Sequence, residues 1–372
     1  MDIDEAVLIT QERLAQEGQN MGDLLGFLRH RISPTLIGES HWMHILKRAE
    51  TLPIEMGALP FGFEIPLHEH LPVADFGVSL ASGTRTATFY EDLHRKNSAD
   101  ETTNAVLNLF QQMESDRSKL RDIVGRKLML EYDIDSNSDN TRRMPGMFLR
   151  PGERPIMGGG SQLEDITTVM DALVSCVGWN QDAAERKNVE HAYLVQPKHT
   201  RTDSFGIFPS RSRSIRLAVM GFTDLQELCT YLDKAEWPGL ISAVESVVSR
   251  FQERANVVRS GVNIDVHSNG LGPSLGLTLI VKQRFTKDSR YWLDGQTDWE
   301  PFLRALSLED VIDPKKLKDL ESWHSQPNVL FAKSGRFVLL QGIHHIKLVV
   351  SDNQLQKVKA YLFLVLSGAI AQ

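Results

Sequence analysis

Five stretches of this chain repeat one order: an extended segment, a turn-rich connection, a second extended segment, then a helical segment. First strands are predicted at FGFEIPL (61–67), KLMLEYDI (127–134), EHAYLVQP (190–197), GVNIDVH (261–267) and RFVLLQ (336–341). Second strands are predicted at ADFGVSLA (74–81), GMFLRP (146–151), SIRLAVMG (214–221), SLGLTLIVKQ (274–283) and HHIKLVV (344–350). Taken from Asp75, Gly146, Ser214, Ser274 and His345, the second strands start 71, 68, 60 and 71 residues apart. A spacing of this size points to serial repetition of one supersecondary unit.

Within the strands, side chains alternate. Ile215, Leu217 and Val219 share one face and Arg216, Ala218 and Met220 the other; Leu277, Leu279 and Val281 oppose Thr278, Ile280 and Lys282. Such strands set one face against helices and leave the other in a more polar setting. Ser82-Gly83, Asn269-Gly270 and Ser334-Gly335 supply turns. Helices are predicted through Val106, Phe110, Met113, Leu120 and Val124, and through Leu163, Ile166, Met170, Leu173 and Val177. Further helices start at a Thr223–Gln226 capping box, after Pro238-Gly239 and at Asp313-Pro314, and a helical arm over roughly 3–50 precedes the first hairpin. The expected class is α+β, as two packed sheets with helices on one face or as a closed barrel ringed by helices. Uneven repeats favour the two-sheet form, with halves at 1–185 and 186–372, although one continuous domain also fits.

A formal charge of −7 argues against general affinity for nucleic acid or anionic lipid. Two cysteines, Cys176 and Cys229, give neither a disulfide framework nor a thiolate metal set. The acidic N-terminus lacks the pattern of a signal peptide, and the longest apolar run, 360–370, is too short for a membrane span. The chain is expected to be soluble and cytoplasmic.

Several clusters carry possible chemistry. His68-Glu69-His70 is the most metal-like, with His344-His345 as further nitrogens. Pro66 and Pro72 bracket the first pair, which favours a loop of exposed or locally bonded histidines, so no metal and no cofactor is expected. Glu131, Asp133 and Asp135 alternate, as carboxylates for acid–base work or cation binding would; a solvated strand edge is the plainer expectation. Gly158-Gly159-Gly160 precedes a helix but lacks the lysine and hydroxyl of a phosphate loop. Arg211, Arg213 and Arg216 cluster with Lys198, His199 and Arg201, suited to peptide carboxylates or simply to a charged loop.

The segments GFEIPLHEHLPVADFGVSLA, FGIFPSRSRSIRLAVMGF, YLDKAEWPG, LGPSLGLTLIVKQRF and HHIKLVVSDNQLQKVKAYL together resemble bacterial peptide-binding proteins of crocagin-type ribosomal-peptide clusters. That resemblance implies non-catalytic binding of a precursor peptide for partner enzymes. Physically, the peptide would add as a strand to an exposed sheet edge, with Arg213, Arg216, Lys282 and Lys347 as the expected contacts. A homodimer is compatible with it. The repeated hairpin-plus-helix units also resemble the ten-strand barrel of aromatic prenyltransferases. There Lys347, Lys359 and Tyr361 would hold a diphosphate and Asp75 would assist proton loss from an indole or phenol, although aspartate stands where that family has glutamate. A guanidine-modifying fold with fivefold repetition lacks its C-terminal cysteine here, and a metal-holding role in peptide cyclisation would need the His68–His70 cluster.

Overall fold

The computed structural model describes residues 5–135, 143–281, 299–323 and 328–369. Its strands are β1 (Phe61–Pro66), β2 (Asp75–Ala81), β3 (Lys127–Tyr132), β4 (Gly146–Leu149), β5 (Ile156–Met157) and β6 (Arg201–Ile207). They continue as β7 (Ile215–Phe222), β8 (Arg259–His267), β9 (Gly270–Ile280), β10 (Asn328–Ala332), β11 (Gly335–Ser351) and β12 (Gln354–Ser367). From β11 the hydrogen-bonded order runs β12, β1, β2, β3, β4, β6, β7, β8, β9. β9 then pairs back onto β11, with Leu275 opposite Val350 and Thr278 opposite Lys347. Ten strands therefore close a ring, and β5 and β10 attach outside it to β6 and β11. The barrel is realised and the two-sheet form is not.

The unevenness that favoured two sheets is absorbed in β11. It is 17 residues long and pairs β10 with its first residues and β9 with its last. RFVLLQ and HHIKLVV are thus one strand, not a hairpin. The chain after Val350 does not become helical; it turns through Asp352 and Asn353, both at positive φ (48° and 63°), and returns as β12. Two such residues suit the tight hairpin that follows strand twist.

The strand expected at 190–197 is also corrected: those residues close a helix, Ala183–Leu194. Asp182 accepts hydrogen bonds from the Ala184 and Glu185 amides, which fixes the helix start. Val189, Ala192 and Tyr193 then turn to the core at helical spacing. The first strand of that third hairpin is β6, whose RTDSFGI begins with polar residues.

The strand faces divide as their alternation predicts. On β7, Ile215, Leu217 and Val219 are fully buried, beneath a helix (Leu225–Lys234) whose Leu228, Tyr231 and Leu232 face them. That helix is capped by Asp224, which accepts from the Glu227 amide, rather than by Thr223. Burying each such aliphatic side chain contributes about 1.5–3 kcal/mol. The core therefore lies between ring and helices, and Arg216 and Met220 point the other way, half-buried, into the lumen. The N-terminal arm is helical as expected, over Glu5–Leu14, Met21–Leu28 and Glu39–Ala49.

Candidate functional site

Because the apolar faces are spent on the helices, the other face of every ring strand meets its neighbours inside the barrel. Register places the charged residues there in one layer. Glu64 on β1 stands opposite Tyr361 of β12 on one side and Asp75 of β2 on the other. Lys347 of β11 lies opposite Lys359 of β12, and His345 opposite Tyr361. Arg216 of β7 faces Asp265 of β8 across the lumen's other wall. Glu131 of β3 is flanked by glycine on both neighbouring strands, Gly77 and Gly146.

The cations are held. Lys347 Nζ donates to Tyr361 Oη at 2.5 Å, and Lys359 donates to Glu64. Arg216 binds Asp265 through Nε and Nη2 at 2.8 and 2.9 Å, the bidentate geometry that suits a planar guanidinium. Arg211 binds Asp133 at one end of the barrel, and both arginines lie on the ring of Phe208, at 3.8 and 4.7 Å from its centroid. His345 stacks on Tyr361 at 4.1 Å with the planes 9° apart.

Crowding this charge into the lumen separates the ionisations. Burial pushes the Glu64 carboxyl up, but the Lys359 and Lys347 ammoniums outweigh it and hold Glu64 down at about 2. Burial, then the Glu64 charge, pushes Asp75 up to about 8, despite the hydrogen bond it accepts from the Ile134 amide at 2.9 Å. Burial lowers Lys347 to about 8 against the pull of Glu64. Burial and neighbouring charge thus drive these two adjacent carboxyls in opposite directions.

Of the residues read from the sequence, Arg216, Lys347, Lys359, Tyr361 and Asp75 are brought together in the lumen. Arg213 is not: it lies before β7, bound to Glu185 at 2.7 Å and to the Asn180 carbonyl at 2.8 Å, beside Trp179. Lys282 lies outside the described residues. The histidines do not converge. His68 bonds the Val358 carbonyl at 3.1 Å and His70 bonds Asp313 at 3.0 Å, and the described residues hold no group of three potential metal ligands. Burial pushes the Cys176 and Cys229 thiols up to about 12 and about 11, so neither offers a thiolate at neutral pH. Glu131 is not on a solvated strand edge but inside the ring. Glu64 and Asp265 escaped the sequence reading, although FGFEIP and VNIDVH carry them in the polar phase of an alternating strand.

No family model matches the chain, and no curated protein does. Among solved structures, it is similar to a 6-dimethylallyl tryptophan synthase at 11% identity and a TM-score of 0.47, over 96% of this chain and 94% of that one. It is similar to the 6-dimethylallyltryptophan synthase of Micromonospora olivasterospora at 12% identity and 0.41, over 96% and 95%. It is also similar to the 5-dimethylallyltryptophan synthase of Streptomyces coelicolor at 10% and 0.42, over 97% and 98%.

The expectation of a non-catalytic precursor-peptide holder is corrected. Strand addition needs an open sheet edge, and the ten ring strands offer none; the open edges are those of β5 and β10, which carry none of the expected contacts. Of the expected peptide contacts, Arg216 and Lys347 face the lumen and Arg213 is tied to a helix.

Proposed function

We propose that the chain is an enzyme that transfers an isoprenyl group from its diphosphate to an aromatic acceptor inside the barrel. The observation that carries this reading is the lumen layer itself: Lys347 bonded to Tyr361, Lys359 bonded to Glu64, and Arg216 within the same ring. Ammonium, guanidinium and phenol donors gathered in one lumen suit a diphosphate, whose negative charge grows as it departs. The allylic carbon–oxygen bond breaks, diphosphate leaves toward these donors, and a ring carbon of the acceptor bonds the allylic carbon. The proton lost from that ring carbon passes to a carboxylate.

Glu64 is the carboxylate placed for this role. Free of ligand, its bond to Lys359 makes it a poor base at about 2. A diphosphate that engages Lys359 and Lys347 withdraws both cations, and the Glu64 pKa rises because burial then dominates. Binding the donor substrate thereby prepares the base for the acceptor. Asp75, protonated beside it, can donate a hydrogen bond to the same carboxylate layer.

The test is incubation of the full chain with dimethylallyl diphosphate and a panel of indoles and phenols, read by released diphosphate and by acceptor mass. Turnover is expected, and Lys347→Ala should lower it by roughly 10²–10³-fold, as removing one preorganised donor does. Failure of dimethylallyl diphosphate to bind by calorimetry would overturn the proposal.

A further inference from the structure

Every described cation in the layer around Glu64 has a partner. Arg211 has Asp133, Arg216 has Asp265, Lys359 has Glu64 and Lys347 has the Tyr361 hydroxyl. Glu131 is the exception among the carboxylates. It is only 8% exposed, and among the described residues no hydrogen bond or ion pair reaches it. Arg211, Arg216 and Lys347 act on it only through space. Its carboxylate oxygens keep some exposure to the lumen, so the partner they take there is water or a group that arrives with a ligand.

There is room for one. Glu131 lies between Gly77 and Gly146; an added methyl group would meet the Phe208 ring at 2.6 Å at Gly146, but nothing nearer than the Leu130 carbonyl oxygen at 3.8 Å at Gly77, so the room lies on the β2 side. The backbone does not demand glycine at 77 either, since its φ lies outside the left-handed region. A glycine needed neither for its conformation nor for a close contact leaves open space in a strand, as where a ligand approaches.

Charge balance gives the ligand its sign. In this layer Arg211, Arg216, Lys347 and Lys359 face Glu64, Asp133, Asp265 and Glu131, whose carboxyl is pushed up by burial and by the Glu64 charge, so a cation arriving beside Glu131 would offset both effects. A diphosphate drawing on Lys347 and Lys359 leaves the carboxylates uncompensated. A positively charged acceptor restores the balance. A free amino acid would bring its own carboxylate, for which the layer holds no spare cation.

Resting on the isoprenyl-transfer reading for the class of acceptor, we infer that Glu131 is an acceptor-recognition carboxylate, binding the ammonium of an aromatic substrate with net positive charge. Glu131 here orients the acceptor and does not take the ring proton.

Calorimetry on the full chain tests this with tryptamine against 3-ethylindole and L-tryptophan, and with tyramine against 4-ethylphenol, each with and without saturating inorganic diphosphate. At least one amine should bind about tenfold or more tightly than its neutral counterpart, and tryptamine more tightly than tryptophan, as a charge-assisted hydrogen bond provides. Diphosphate should widen the gap through positive coupling. Glu131→Gln should close it while leaving the affinity for diphosphate intact. The substitution is isosteric and removes a buried unpaired charge, so the variant should fold at least as well. Equal binding within both amine pairs, tryptophan binding as tightly as tryptamine, or a gap that survives Glu131→Gln would each overturn the inference. Turnover on the same samples separates the two ideas: amine preference without isoprenyl transfer keeps the cation site and removes the transferase reading.

Discussion

The two faces of a single strand in this barrel obey different rules. On β12, Val358, Ala360, Leu362 and Leu364 are buried against helices; Lys359 and Tyr361, one residue out of phase, are half-buried in a lumen of charges. On β11, Ile346, Leu348 and Val350 alternate with Lys347 in the same way. Fold stability is concentrated outside the ring, where removing atoms leaves cavities. The inner face holds interactions that largely offset one another, cation against carboxylate. A barrel of this kind can change its chemistry without rebuilding its core, because the side-chain period of a strand keeps the two sets apart.

The largest expected effect breaks the outer face. Leu217→Ala removes a fully buried side chain between β7 and its helix, and should cost about 2–5 kcal/mol in urea unfolding. A loss under about 1 kcal/mol would mean that the apolar shell can collapse onto the gap, and the contrast between faces would weaken. Next comes Gly62, which faces Gly77 across β1 and β2. A methyl group at 62 would overlap the Leu362 carbonyl oxygen of β12, so Gly62→Ala must push β1 and β12 away from each other. About 1–3 kcal/mol is expected, with the same measurement deciding it.

The lumen should show itself through pH. Glu64 is held at about 2, below its ordinary 4.5, so the stability it adds is fully present above 4.5 and lost as pH falls toward 2. Asp75 behaves oppositely. Its folded value of about 8 exceeds the ordinary 3.8, so between these pH values the folded chain keeps a proton that the unfolded chain releases. Stability therefore falls as pH rises through that window, by up to about 1.4 kcal/mol per pH unit. Urea midpoints at pH 5 and pH 8 check this: Asp75→Asn should lose less between them than the parent chain. Equal losses would place Asp75 in a more solvated setting than its neighbours imply.

What the sequence made legible follows from the same division. Strand periodicity located β1, β2, β3, β4, β7, β8 and β9, and its alternation put Arg216 with Ala218 and Met220 on the face opposite Ile215, Leu217 and Val219. Closure was not legible, because it depends on β9 reaching β11 across residues far apart in the chain, and on one long strand that looked like two. The helix at 183–194 was misread because HAYLV alternates, while the decisive signal, Asp182 capping Ala-Ala-Glu-Arg-Lys, stood at its other end. Glu131 was visible in LEYDID, but whether that face was water or lumen is decided only by the other nine strands.

The smallest expected effect is the sharpest probe of the lumen. Gly77 and Gly62 are register partners, yet an added methyl group clashes at one and reaches open space at the other. Gly77→Ala needs no left-handed backbone and meets no atom closer than 3.8 Å. Its effect should come through the unfolded chain, whose freedom it reduces, giving a gain of about 0.4–1 kcal/mol. A raised urea midpoint with an unchanged slope would support open space beside Glu131. A lowered midpoint would mean that the lumen is filled there, and the room assigned to an acceptor beside Glu131 would be lost with it.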